Sequence, residues 1–460
     1  MTPYPEYKAT NLPWLPQIAM HWVLVKIREL FTERNQKVSD KEYAPLSVSK
    51  GGVVPQISTV AKTDNGDNRK LVKVGDFVIN SRSDRKGSSG ISAYDGSVSL
   101  INLILKPRND YNRGYLHYLL KSIPFIEEYY RNGRGIVADL WTTRYSEMKT
   151  ISIPTPTAAE QEQIVRYLDS MTAKINKLIR AKKKQIALLQ EQKQAIINQA
   201  VTKGLNPNAE MKDSGIDWLG QIPAHWDCLP IKFCSDILPG LAFDSQNFSS
   251  YGKYLLLRGI NVGIGNINHE EVIFWNYDLN AMTQRFQLQE NDIVLGLDRP
   301  WIKQGLRLAK ISQNDLPALL VQRVCRIRPH KHCDNDFLIN AVDVVLQKAL
   351  QSQTTGISVP HISTNQVGNV KIPLPTYEEQ LLIVNSIAEK TKTLKSYTDT
   401  LKQEILIILE YKNSLIASVV TGQVDVRNIQ VEDFDPADLI TETDDDPSED
   451  DDQPLEESEE

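Results

Sequence analysis

A chain of 460 residues, 41% of them hydrophobic, has room for roughly two to four domains with buried cores. It contains no run of about 18 apolar residues, and its opening stretch MTPYPEYKATNLPW lacks a charged segment followed by an apolar one. These features exclude a membrane-spanning helix and lead us to expect a soluble, cytoplasmic protein with no membrane partner. The net charge of −6 conceals an asymmetry, because residues 432–460 hold 16 acidic residues and no basic one, leaving 52 basic against 42 acidic residues in the rest. A basic body points to a polyanion such as nucleic acid, although a solvated basic surface reads the same way.

In chain order, the first landmark is Trp14-Leu-Pro-Gln-Ile-Ala-Met-His21-Trp22. Two tryptophans eight residues apart read as anchors of a segment on its own domain. His21 has no second ionisable group beside it in the sequence, so no role as base or ligand is expected. Residues 31–150 read as β-rich, with short β-branched runs (VPQIS, KLVKV, FVINS, SLINLIL) broken by Gly, Asn and Asp. Within them, VKVGDFVIN places a Gly75-Asp76 turn before an apolar strand. The loop that follows carries Ser81, Arg82, Arg85, Lys86 and Ser88, donors suited to guanine edges and phosphates, or equally to a solvated connection. Residues 111–135 read as one helix ending on Arg131 and Arg134, and ADLWTTRYSEMKTISIP as a strand after it.

The stretch 153–205 opens IPTPTAAEQEQIV. Pro-x-Pro interrupts a ladder or a helix, and Thr157 with Glu160 forms a capping-box pattern for a helix start. Ile164, Leu168, Met171, Ile175 and Leu178 then follow the 4-and-3 spacing of a coiled-coil seam. Residues 206–217 (NPNAEMKDSGID) form a polar linker, after which the whole pattern recurs. Trp218 to Trp226 repeats W-L-x-Q-I-x-x-H-W, with His225 in the place of His21. LQENDIVLG repeats the turn and strand, and its loop carries Arg299, Trp301 and Lys303. Arg258, Arg323, Arg326 and Arg328 are further basic positions, and 335–356 is a second helix. The stretch 372–424 repeats the long helix, with Thr376 and Glu379 as the cap. Its seam runs through Ile383, Ile387, Leu394, Tyr397, Leu401, Ile408, Tyr411 and Leu415.

A displacement of 219 positions lays 153–205 on 372–424 without a gap, pairing Glu160-Gln161 with Glu379-Gln380 and Val201-Thr202 with Val420-Thr421. One inserted residue would turn a helical face by about 100°, so the match implies two equally long helices. Each is a rod of roughly 65 Å whose apolar stripe would be exposed alone, so the two are expected to pack on each other. The chain thus divides into 1–152, 153–205, 206–371, 372–428 and an acidic tail, 429–460, expected to be disordered.

Catalytic motifs are missing. Gly263-Ile-Gly265 lacks the third glycine of a dinucleotide fingerprint, and no GxxxxGK[ST], NPP[YF] or DPPY occurs. Glu147-Met-Lys149 is an ExK that chance supplies readily, and Cys325, His330, His332 and Cys333 match no common zinc spacing. Cys228 and Cys234 complete a set of four cysteines confined to residues 228–333, which argues against a disulfide framework.

The IPxPxxxEQ openings at 153–161 and 372–380, the two long helices, the SLIASVVTGQVDVR close at 414–427 and the doubled tryptophan segment resemble the specificity subunit of type I restriction–modification enzymes over 1–428. The resemblance implies an α+β fold. Two β-rich target recognition domains in pseudo-twofold arrangement would be joined by antiparallel helices forming a coiled coil, each domain reading one half of a bipartite double-stranded DNA site. It implies a non-catalytic chain that binds no cofactor itself and assembles with two methyltransferase subunits and with restriction/translocase subunits. S-adenosylmethionine, ATP and magnesium are then expected on those partners. Because the two loops differ, unlike half-sites are expected. The alternative is a coiled-coil scaffold for proteins without specific DNA readout. The resemblance does not reach the acidic tail.

Overall fold

The computed structural model describes residues 2–56, 66–108, 112–135, 141–302, 305–353 and 361–439. They fall into two compact units, one of residues 1–184 with 401–460 and one of residues 185–400. The long helices, Ala158–Lys203 and Tyr377–Val420, each cross from one unit to the other. Each unit therefore contains a β-rich domain, the start of one helix and the end of the other. Among the described residues, no helix is long and apolar enough to cross a membrane.

The duplication seen in the sequence recurs in the four-stranded main sheet of each unit, while the three-stranded sheets differ, antiparallel throughout in the first unit and with a parallel pairing of Tyr254–Leu257 and Ala318–Leu320 in the second. In the first unit the main sheet runs Ser89–Ile91, Phe77–Asn80, Asn102–Pro107, Phe31–Glu33, with every pairing antiparallel. In the second it runs Leu308–Lys310, Ile293–Gly296, Val324–Pro329, Ser235–Pro239, again antiparallel throughout. The strand leading into each long helix pairs with the strand after each His–Trp: Val25 lies opposite Ile153, and Leu229 opposite Ile372. Pro154 and Pro373 sit within these two-stranded ribbons, where a missing amide is tolerated on an outer edge. The expected helix at 111–135 is two, Arg113–Leu120 and Ile123–Arg131, because Pro124 starts the second.

Apolar side chains of sheet and helices form a main core in each unit, beside smaller clusters. In the first, Trp22, Ile27, Phe31, Phe77, Tyr115 and Phe125 pack with Ile164 and Leu168 of one helix and Leu415 and Val419 of the other. In the second, Trp226, Ile231, Ile293 and Phe337 pack with Ile197 and Val201 and with Ile383 and Ile387. Within the first unit the helices are antiparallel: Asn176 accepts from Lys412 at 2.9 Å and Lys182 pairs with Glu404 at 2.7 Å, one number rising as the other falls.

The seam departs from a strict heptad. Ile164, Leu168, Ile175, Ile383, Ile387, Leu401 and Leu415 are buried, and Met171, Leu394 and Ile408 are half-buried. Leu178, Tyr397 and Tyr411 are exposed, and Ile179 takes the place expected for Leu178. From Leu168 to Ile179 the stripe advances eleven residues in three turns, which matches the natural 3.6-residue period better than a heptad does.

The Glu-Gln of each helix start has a different task from the one its spacing suggested. Thr157 and Thr376 do accept from the amides of Glu160 and Glu379, both at 3.4 Å. The carboxylates, however, turn to histidine: Glu160 Oε2 lies 2.8 Å from His21 Nε2, and Glu379 Oε2 lies 2.9 Å from His225 Nε2. The partner that seemed missing beside each histidine comes from more than a hundred residues later in the chain. Glu160 also accepts from the Tyr4 hydroxyl at 2.6 Å, and burial together with this bond pushes the Tyr4 phenol well above its ordinary range. Gln161 and Gln380 donate to the carbonyls of Pro156 and Pro375, both at 2.9 Å.

The helix ends are equally matched. Gly204 and Gly422 follow the two helices with φ of 74° and 76°, the left-handed turn that stops a helix. A Cβ on Gly204 would lie 3.1 Å from the Trp226 ring, and one on Gly422 would lie 2.9 Å from the Trp22 ring.

The tail does not start in solvent. Ile429 and Val431 pack on the first core. Gln163 donates to the carbonyls of Val426 and Ile429. Lys174 pairs with Glu432 at 2.7 Å, and Arg180 with Asp438. The expectation of disorder from residue 429 is thus corrected for 429–439, which carries enough apolar and ionic contact to order along the first helix. The rest of that expectation, 440–460, lies outside the described residues.

Gly204→Ala and Gly422→Ala should each destabilise their unit by about 1–3 kcal/mol, through the left-handed backbone and the ring contact together, seen as an earlier step in thermal unfolding. Glu160→Ala, which strands a buried Tyr4 hydroxyl, should cost about 1–3 kcal/mol. Glu379→Ala, at a more exposed pair, should cost less than about 1 kcal/mol in the same measurement.

Candidate nucleic-acid interface

In each unit the second strand of the main sheet ends at a rim assembled from two distant segments. In the first unit, Ser81 donates through its amide and its hydroxyl to the Ile101 carbonyl. The amide of Thr143 donates to Ser81 O at 3.0 Å, and that of Ser83 to Trp141 O at 3.1 Å. Arg82 and Thr142 face each other as a bridge, and Thr142 bridges onward to Arg134. Two buried tyrosines hold this rim from below: Tyr130 OH donates to Asn80 O at 2.9 Å and Tyr129 OH to Thr143 O at 3.0 Å.

The loop residues expected to meet DNA divide accordingly. Arg82 and Arg85 are exposed. Lys86 is exposed but paired with Glu127. Ser81 and Ser88 are buried, at 4% and 6% exposure. They are corrected to structural residues, since the Ser81 hydroxyl and the backbone groups of both are spent closing the loop. Beside Arg82 opens a cleft of about 610 Å³ whose charged lining is Glu33, Lys70, Arg82, Arg144 and Lys149. Burial lowers the Lys70 ammonium below its ordinary range, partly offset by Glu33. The segment Trp141–Arg144 was missed in the sequence because it reads as the approach to a strand. An exposed tryptophan among threonines and an arginine was the available signal. Glu147 of the ExK caps its own short helix, accepting from the Arg144 amide at 3.2 Å.

The second unit repeats the rim with other side chains. Leu297 donates to Arg323 O and Ile362 donates to Leu297 O, both at 2.8 Å, in the places of Ser81 and Thr143. Asp298 faces His361 as Arg82 faces Thr142. The Asp298 carboxylate takes His361 Nδ1 at 2.6 Å and Arg323 Nε at 3.2 Å. Arg299 is exposed, with φ of 42°. Trp301 is half-buried against the core, in a hairpin that pairs Trp301–Ile302 with Gly305–Leu306. Its ring is therefore a packing residue, and Lys303 lies outside the described residues.

Most of the other basic positions are engaged within the protein. Arg258 donates to Glu271 O, Arg326 pairs with Asp236, and Arg328 grips Asp292 in two bonds of 2.6 and 2.8 Å. Asp76, the counterpart of Asp292, is gripped likewise by Arg34 at 2.6 and 3.1 Å. The Gly75-Asp76 and Asn291-Asp292 turns are thus pinned by arginine forks. These side chains shape the scaffold, and Arg258 is half-buried with one of its nitrogens engaged in this way. Cys325 is fully buried, and its thiol is pushed up to about 12 by desolvation.

The family model for the type I restriction modification DNA specificity domain matches twice, over residues 20–188 and 232–410. The chain is 31% identical over 283 residues to the type I restriction enzyme MjaVIII specificity subunit of Methanocaldococcus jannaschii, covering 61% of this chain and 64% of that protein. It is 35% identical over 196 residues to the EcoAI specificity subunit of Escherichia coli, covering 40% of this chain and 32% of that protein. The chain thus spans less than two thirds of the length of these two relatives. It shares its fold with a chain of a solved type I R-M system, with a TM-score of 0.58 and 12% identity over 88% of this chain and 99% of that one.

Proposed function

The chain belongs to the type I restriction–modification DNA specificity family, and from that premise we propose that it selects the DNA sequence for a complex whose chemistry resides in other subunits. Each unit reads one half of a bipartite target in double-stranded DNA, and the helical length sets the unread spacer. Two methyltransferase subunits, bringing S-adenosylmethionine, and restriction/translocase subunits, using ATP and magnesium, join this chain in the cytoplasm. The chain contributes recognition and no bond-making step.

One observation carries the reading. The same backbone hydrogen bonds build the same rim at the end of the same strand in both units, yet the residues bridged across it are Arg82 and Thr142 in one and Asp298 and His361 in the other. A guanidinium only donates and suits guanine O6 and N7, whereas a carboxylate–imidazole pair offers acceptors. Duplicated scaffolds with unlike rims fit a target of two unlike halves. The basic cleft beside Arg82 suits the DNA backbone.

Methyladenine mapping of random inserts, in cells expressing this chain with a methyltransferase partner, should return a two-part motif around a fixed gap. A palindrome, or no motif from an intact complex, would overturn the reading. Arg82→Ala should relax preference in one half-site and Arg299→Ala in the other. Uniform loss across all sequences would make these residues phosphate contacts. Inserting a few residues in register in one long helix should lengthen the gap and leave both half-sites unchanged; altered half-sites would refute the role of helical length.

A further inference from the structure

We infer that His361 is a specificity-determining residue of the second unit, accepting a hydrogen bond from the exocyclic amine of a base in the major groove, and that Asp298 is the residue that positions it. The inference rests on the proposed reading and names the atom that reads.

His361 stands at the rim, bridged to Asp298 directly after the strand Ile293–Gly296, and its side chain is 57% exposed. The ring is nevertheless fixed, with Nδ1 2.6 Å from Asp298 Oδ1. A carboxylate can only accept, so Nδ1 carries the proton and, in the neutral ring, Nε2 keeps its lone pair. Asp298 has little left to offer a ligand, because its other oxygen meets Arg323 Nε at 3.2 Å. An ion pair this exposed adds little to stability. Its physical effect is to choose the tautomer and orientation of the ring.

The backbone supports a functional rim. Arg299 and Arg323, flanking the pair, hold φ of 42° and 67°, left-handed values that non-glycine side chains adopt at a cost and that gather at functional sites. Across the duplication, the rim presents the donor Arg82 in the first unit and the acceptor Nε2 in the second. In the major groove, an acceptor distinguishes the amines of adenine N6 and cytosine N4 from the guanine and thymine oxygens.

The test uses the complete methyltransferase complex with wild type, His361→Ala, His361→Gln and Asp298→Ala. Motifs are mapped by modified-base sequencing, and binding is measured by competition among duplexes varied at each position. His361→Ala should lose discrimination at one base pair of one half-site by about 5- to 150-fold, with the other half-site and the gap unchanged. His361→Gln, whose carbonyl can still accept, should retain more of it, and Asp298→Ala should relax the same position to a smaller extent. Whether the relaxed pair is A·T or G·C separates adenine N6 from cytosine N4, and a duplex lacking that amine should bind wild type as weakly as the natural duplex binds His361→Ala. An unchanged motif in His361→Ala, or a loss uniform over all sequences, overturns this assignment while the bipartite reading stands. Absence of any motif with the wild-type complex overturns both.

Discussion

Trp22 lies against Gly422, and Trp226 lies against Gly204, in contacts that would crowd a Cβ. Each contact seats the end of a long helix in the core of a recognition unit, where both indoles are fully buried. At the other end, Glu160 and Glu379 reach back to the histidine preceding each tryptophan. Two adjacent residues in each unit, His21-Trp22 and His225-Trp226, thereby grip the start of one helix and the end of the other. A rim carried on a sheet that is packed onto these helices inherits its position from them. Burial of apolar area supplies the energy, and the polar pairs select one register among many that an amphipathic rod would allow.

The duplication separates what is kept from what differs along a physical line. The order and pairings of the main sheet, the Glu–His and Gln–carbonyl contacts and the two rim amides are the same in both units. Amide-to-carbonyl bonds do not depend on side-chain identity. They can therefore hold Ser81 in one unit and Leu297 in the other, while the adjacent position changes from Arg82 to Asp298. A scaffold tied together through its backbone leaves its exposed side chains free to differ.

Charge illustrates how composition and surface part company. The body of the chain is basic, yet Arg34, Arg326 and Arg328 are consumed by Asp76, Asp236 and Asp292 inside the fold. Lys174 and Arg180 are taken by Glu432 and Asp438, at the beginning of the acidic tail. What remains exposed at the first rim is a smaller group, Arg82, Arg85, Arg134 and Arg144. Position in the fold, more than the number of basic residues, decides which of them can face a polyanion.

By itself the sequence determined the duplication, the two equally long helices, the landmark tryptophans and the turn before each central strand. These are properties of period and spacing, which local backbone geometry imposes and which survive in one dimension. The loops after the strands at 77–80 and 293–296 were also legible as rims, since turn residues and basic side chains cluster there. Tertiary structure alone decided the rest. Glu160 serves His21 rather than its own helix cap, because a partner brought in by folding competes with a local one. Ile179 displaces Leu178 from the seam because the stripe follows the 3.6-residue period over three turns. Ser81 and Ser88 turn inward, and the tail begins as an ordered segment along a helix. Trp141, Thr142 and His361 join rims formed more than fifty residues earlier in the chain, and no spacing records that meeting. A contact between segments so far apart is set by how the sheet packs on the helices, which only the folded chain contains.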